Sequence, residues 1–205
     1  MRHYKYKIEH DFGLAPNPFG EFCTLAVCKS QIRSNKNLEI GSWIFGIGSK
    51  KLREYYQRLI FCMEVEEKLP LEQYWDDPRF QYKKVVENGS LQQLYGDNIY
   101  HIVNGEWVQE DSAHSKEDGI THEGHLETDI DGKYILISQN FYYFGRNAID
   151  VPNEFKSVIC TDVRNWEYAE PEDDIENFIQ WLEEKGYRKR RLYGDPINWI
   201  TEHGV

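Results

Sequence analysis

At 205 residues and 24.4 kDa, with 40% hydrophobic and 29% charged positions, the chain has the size and polarity of one globular domain with terminal additions. Its net charge of −11 argues against a protein that coats nucleic acid electrostatically, and no stretch approaches the ~18 apolar residues of a membrane span. An aromatic share of 15% in so polar a chain requires a thick core or an aromatic-walled pocket.

From the amino terminus, Tyr4, Tyr6 and Ile8 alternate with Lys5, Lys7 and Glu9, which predicts a half-buried strand. Gly13, Pro16, Pro18 and Gly20 then predict a loop, and residues 22–28 a short apolar run. Residues 40–49 interleave apolar residues with Gly41, Gly46 and Gly48, the pattern of a buried strand that something approaches closely. Residues 59–65 read as another core strand. Pro70 opens a short helix through Trp75, and Ser90 caps a second running to Gly96.

Residues 104–132 are polar and read as one long loop. Asp131-Gly132 suggests a hairpin-type turn before a strand over 133–138, followed by the aromatic run 141–145 and one more strand over 158–161. The clearest element is a helix over 171–185, with Ile175, Phe178, Ile179 and Leu182 on one stripe, acids in the first turn and Gly186 just beyond the last. After a basic tail at Arg188–Arg191, apolar residues return over 196–200.

The charge is unevenly placed: residues 1–60 balance at +5 and residues 61–205 at −16. Lys29, Arg33, Lys50 and Lys51 belong to the basic stretch, a surface suited to phosphate contacts or simply a solvated patch. Trp43 to Lys51 combines an aromatic wall, glycines, the Ser49 hydroxyl and two cations, the components of base stacking and phosphate anchoring. Asp97-Asn98 offers groups that can read a base edge or close a helix with an Asx turn. The four cysteines form no CxxC pair and are expected as free thiols in a cytoplasmic protein, since the amino terminus lacks the apolar segment of a signal peptide.

Cys23, Cys28, Asp97, His101 and His114 form a candidate enzyme constellation, with Cys23 as thiolate nucleophile, a histidine as acid/base and Asp97 fixing the tautomer. Both Cys23 and Cys28 sit on an apolar run, so buried inert thiols are the competing reading. His114, His122 and His125 match no zinc spacing, and neither metal nor cofactor is expected.

Several blocks carry a family resemblance. They include Ala15-Pro16-Asn17-Pro18-Phe19, Cys23-Thr24-Leu25-Ala26-x-Cys28-Lys29, Gly41-x-Trp43-Ile44-x-Gly46-x-Gly48-Ser49 and Tyr74-Trp75-x-Asp77-Pro78-Arg79-Phe80. Gly96-Asp97-Asn98-Ile99-Tyr100, Asp111-x-x-His114 and Phe141-x-Tyr143-Phe144-Gly145 follow. Over about residues 2–150 the chain resembles the nucleotide modification associated domain 2 family, departing from it at Ser42 and Ile47. The resemblance implies a role connected with nucleic-acid modification in phage and bacterial settings. The order of strands, loop and glycine-bearing strand also resembles the PUA-like superfamily of EVE, ASCH and YTH domains.

The resulting expectation is an α+β fold: a small curved PUA-like β-barrel with rim helices over residues 1–150, and a carboxy-terminal helical extension over 151–205 packed on the same domain. Its ligand would be a nucleotide, or nucleic acid containing a modified base. Trp43 and an aromatic such as Tyr143 would stack the base, Asp97 and Asn98 would read its edge, and Ser49, Lys50, Lys51, Lys29 and Arg33 would hold phosphate. Two alternatives stand beside it: a nucleotide-processing enzyme using His101 or His114, Asp97 and Cys23, and a protein-interaction module built on the last helix and tail.

Overall fold

A computed structural model describes residues 1–199; Ile200, the end of the returning apolar segment, lies outside the described residues. In chain order the first elements are β1 (His3–Ile8), β2 (Cys23–Leu25), α1 (Ser30–Arg33), β3 (Trp43–Gly48), β4 (Arg58–Glu64) and β5 (Glu67–Pro70). The middle of the chain forms α2 (Leu71–Tyr74), α3 (Leu91–Leu94), β6 (Tyr100–Val103), β7 (Glu106–Gln109), α4 (Glu123–Ile130) and β8 (Tyr134–Ser138). The last part forms β9 (Phe141–Tyr143), β10 (Ile149–Asp150), α5 (Lys156–Ile159), β11 (Trp166–Ala169), α6 (Glu172–Glu184) and β12 (Arg191–Leu192).

These elements gather into two compact units interleaved in sequence. Unit 1 comprises Met1–Phe12, Asn37–Glu66 and Ser138–Val205; unit 2 comprises Gly13–Lys36 and Glu67–Ile137. The segment after residue 150 therefore belongs to the same unit as the first twelve residues.

Unit 1 is organised by a sheet of order β11-β1-β3-β4-β9-β12, with β10 added to β4. β1 runs parallel to β3, with Tyr4 opposite Ile44, and β3 runs antiparallel to β4. The amphipathic stripe of α6 buries Ile175, Phe178 and Leu182, and Phe178 meets Phe45 of β3 edge to face at 6.1 Å. This contact explains why the expected PUA-like barrel does not form among the described residues. The sheet is open, ending at β11 and β12, and a helix covers its apolar face instead of the sheet curling over itself. β1 is also buried almost throughout, rather than on one side, because it lies between β3 and β11.

The glycines of β3 admit protein and no ligand. A side chain at Gly46 would meet the Phe61 ring 2.2 Å away, and one at Gly48 the Tyr55 carbonyl at 1.9 Å. The strand expected over 158–161 is instead the end of α5, which buries Val158 and Ile159 in the core shared with α6.

Unit 2 holds a three-stranded sheet of order β2-β8-β5 and the separate hairpin β6-β7. Leu69, Leu71, Tyr74, Phe80, Ile135 and Ile137 form its apolar cluster. The Ser90 cap holds as expected, with a full capping box to Gln93. The long loop does not: residues 104–132 contain β7 and α4. Asp131-Gly132 ends α4, and the strand after it pairs with β2 and β5, so no hairpin forms there. α4 escapes an apolar-period reading because its only buried residue is a carboxylate, Asp129.

Candidate functional site

Asp129 anchors a cluster that lies wholly in unit 2. The backbone leaves β2 and reaches Cys28 and Lys29, both left-handed with φ of 56° and 45°, immediately before α1. Such a conformation costs an L-residue about 1–2 kcal/mol, so something must hold it. The Cys28 N–H donates to Asp129 Oδ1 at 2.6 Å, and the Cys28 carbonyl accepts from Arg33 Nε at 2.8 Å. Arg33, fully buried, also donates to the Tyr134 carbonyl at 2.9 Å and the Asp129 carbonyl at 2.5 Å. Its guanidinium sits 3.8 Å from Asp129 Oδ1, so the buried charge is both paired and hydrogen-bonded.

His114 lies on the loop after β7, 12% exposed at the side chain. Its Nε2 is 3.5 Å from the Cys28 sulfur and its Nδ1 is 2.9 Å from Asp129 Oδ2. Tyr100 donates its hydroxyl to the same Asp129 oxygen at 2.9 Å. Gln109 donates to the Tyr100 hydroxyl at 3.1 Å and to the His114 carbonyl at 3.2 Å, tying β6, β7 and the loop together. The sulfur, imidazole and carboxylate thus form a relay in which each nitrogen of His114 has one partner. Burial of His114 opposes its positive charge, but the hydrogen bonds to Asp129 and Cys28 outweigh it and raise the imidazole to about 10. An imidazolium beside a sulfur stabilises the thiolate, the nucleophilic form.

The same three groups have ligand atoms within 4.8 Å of one another, close enough to chelate a metal. Both Asp129 oxygens, however, already accept protein hydrogen bonds, and the carboxylate faces Nδ1 while the sulfur faces Nε2. That division suits a nucleophile, a base and an orienting acid better than one shared ion. A cavity of about 280 Å³ opens beside the residues preceding His114, lined by Ser112 and Ala113 with Val85, Leu94 and Tyr95.

The model of the nucleotide modification associated domain 2 family matches residues 1–203. The chain belongs to that family. The match takes in α6 and the tail, which the resemblance read from the sequence had left outside, and the family's name suggests a role in nucleotide modification. No curated protein and no solved structure matches it.

In this member of the nucleotide modification associated domain 2 family, the residues anticipated from sequence fall in several places. Of the anticipated enzyme constellation, His114 and Cys28 converge; Cys23, Asp97 and His101 do not join them. Cys23 is buried, and burial pushes its thiol up to about 12, so it is an inert core thiol. Asp97 is 1% exposed and accepts from the Thr24 hydroxyl at 2.5 Å and the Tyr74 hydroxyl at 2.8 Å. Asn98 is fully buried and donates to the Tyr74 and Phe80 carbonyls at 3.1 and 3.3 Å. Both therefore serve the interior and present no edge to a base. His101 stacks on Trp75 at 4.1 Å and pairs with Glu110 at 2.6 Å.

The anticipated stacking and phosphate residues are similarly dispersed. Trp43 is 8% exposed and stacks on Phe45 at 6.1 Å, inside the core of unit 1. Tyr143 is buried and donates to Asp11 at 2.6 Å. Ser49 caps the turn at Lys51, Lys51 pairs with Glu9, and Lys50 lies over the Tyr56 ring at 5.6 Å. Lys29 forms part of the left-handed turn before α1, and Arg33 is the buried brace of the thiol site. Asp129, Tyr100 and Gln109 escaped the sequence reading, because an acid in a polar segment carries no sign that it will be buried.

Proposed function

We propose that this protein is a thiol-dependent enzyme of nucleotide modification, acting by acyl-type transfer or hydrolysis at an electrophilic carbon of a nucleotide or of a group joined to one. The observation that carries this reading is the Cys28–His114–Asp129 relay, with His114 Nε2 3.5 Å from sulfur and Nδ1 2.9 Å from carboxylate. Cys28, as the thiolate paired with the His114 imidazolium, bonds through its sulfur to the carbon. The leaving group departs with its electron pair and takes the proton from His114. Water or a second nucleophile, deprotonated by His114, then attacks the same carbon and releases the sulfur. Asp129 keeps the imidazole oriented and stabilises its charge, and membership in a family associated with nucleotide modification supports a nucleotide-related substrate.

The test is the rate of Cys28 alkylation by iodoacetamide between pH 5.5 and 9, with each cysteine followed by mass spectrometry. Cys28 is expected to react fastest of the four and to keep reacting at pH 6.5, and His114→Ala is expected to slow it there tenfold or more. Equal rates at Cys28 and Cys160, or a profile untouched by His114→Ala, would overturn the reading. A metal centre at the same groups predicts instead that micromolar Zn²⁺ protects Cys28 in the wild type and that EDTA removes the protection.

A further inference from the structure

Unit 1 contains a second cleft, remote in sequence from the thiol relay. It is an open, shallow cleft of about 390 Å³ bordered by the turn Lys50–Tyr55, the turn Gly145–Asn147 and Ile197–Asn198. Five polar side chains line it: Lys51, Arg53, Glu54, Arg146 and Asn198. The Lys51 ammonium is engaged by Glu9. Among the described residues neither Arg53 nor Arg146 has an acid partner, whereas Arg2 and Arg58 each pair with one and Arg79 with two. Two forked guanidiniums facing one cleft, offset by the single free carboxylate of Glu54, leave it with an excess of positive charge.

The walls are fixed before any ligand arrives. Ser49 accepts from the Lys51 N–H at 3.2 Å, the Gln57 N–H donates to the Gly48 carbonyl at 2.9 Å, and the Tyr55 carbonyl packs onto Gly48 where any Cβ would lie 1.9 Å from it. On the other side the Arg146 N–H donates to the Asp195 carbonyl at 2.8 Å. The Asn198 amide oxygen accepts from the Asp11 N–H at 2.7 Å, and its amide nitrogen has no partner among the described residues. Asp11 is itself 2% exposed and held by the Tyr143 hydroxyl. Within this braced frame Arg53 adopts φ 49° and ψ −105°, a region that L-residues with a Cβ rarely occupy. The exposed Arg53 side chain has no hydrogen-bond or ion-pair partner among the described residues to account for this strain, which fixes the direction the side chain faces.

We propose that this cleft binds a phosphate group, with Arg53 and Arg146 gripping its oxygens and the Asn198 amide donating a third hydrogen bond. Guanidinium forks match phosphate oxygens in geometry as well as charge, and the volume accommodates the sugar attached to the phosphate. The phosphate belongs either to a free nucleotide or to the backbone of a single strand, which present the same chemistry. The cleft stands independently of the Cys28 relay.

The full-length protein is titrated at low salt with inorganic phosphate, a nucleoside monophosphate and a short single-stranded oligonucleotide, in wild type, Arg53→Gln and Arg146→Gln. The expected result is saturable binding of at least one probe, weakened tenfold or more in each variant, with Cys28 alkylation unchanged. Preference for the monophosphate assigns a free nucleotide, and preference for the oligonucleotide assigns a strand. In Arg53→Gly, relief of the backbone strain is expected to raise the melting temperature while binding is lost. No binding of any probe at millimolar concentration, or binding that survives Arg53→Gln and Arg146→Gln, would overturn the proposal, as would Arg53→Gly that melts higher and binds as well as wild type.

Discussion

The two units fill their interiors in different ways. Unit 1 buries a large apolar layer, in which Phe45, Phe178 and Leu182 join sheet to helix; ion pairs such as Arg2–Glu170 and Arg58–Asp150 lie at its surface, and its buried ionisable groups, His3, Lys5 and Asp11, sit outside that layer. Unit 2 has the smaller apolar cluster and places Arg33, Lys83, Asp97 and Asp129 out of solvent. Burial of ionisable groups costs free energy unless each is paired and hydrogen-bonded, and here the partners are supplied. Lys83 donates to the Asn17 carbonyl and side chain, yet burial still depresses its ammonium to about 8. Asp97 is raised by burial against the pull of Lys83 and its two hydroxyl donors. The lesson is that both buried acids are satisfied, but only Asp129 is coupled through His114 to a thiol, and a polar interior becomes a candidate for chemistry where it meets a nucleophile.

The comparison breaks most visibly by removing volume from unit 1. Phe178→Ala is expected to cost about 3–5 kcal/mol in urea unfolding, because the cavity opens between sheet and helix; a loss below ~1 kcal/mol would mean that α6 does not close that core. In unit 2 the contrast lies between two cysteines five positions apart. Cys23→Ser, which places a hydroxyl in a sealed site, is expected to cost roughly 1–3 kcal/mol. Cys28→Ser is expected to change unfolding by less than about 0.5 kcal/mol, since the backbone bonds to Asp129 and Arg33 remain, while eliminating the fast alkylation. Equal stability losses at the two positions would erase the distinction between a sealed core thiol and the thiol beside His114.

A further contrast lies in pH dependence. The folded-state value of His114 is raised to about 10 from 6.5, so its imidazolium stabilises the fold fully below about pH 6.5 and that contribution is lost as pH rises toward 10. The difference in melting temperature between wild type and His114→Gln should therefore narrow between pH 6.5 and 10. A constant difference across that range would show that His114 contributes by packing alone.

Much of unit 1 was legible from residue order. The stripe of α6, the buried glycine-bearing β3 and the core strand β4 all appear where period and composition place them, because an apolar face must be buried wherever it occurs. Unit 2 was read less well. α4 carries no apolar stripe, and its one buried side chain is held by hydrogen bonds from residues 15 to 101 positions away. The same reason misplaced Asp97 and Asn98: an acid and an amide look alike in sequence whether they face a ligand or the Tyr74 hydroxyl and the Phe80 carbonyl.

Sequence by itself determined the family, the mixed α+β character and the free cysteines, and named His114 and His101 as alternative candidates, since these depend on local pattern and residue type. Tertiary structure alone decided that the sheet stays open, that Cys28 and not Cys23 meets His114, and that Asp129 completes the relay. Those outcomes depend on which distant segments share an interior, and the hydrogen bonds that fix a buried charge leave no periodic trace along the chain.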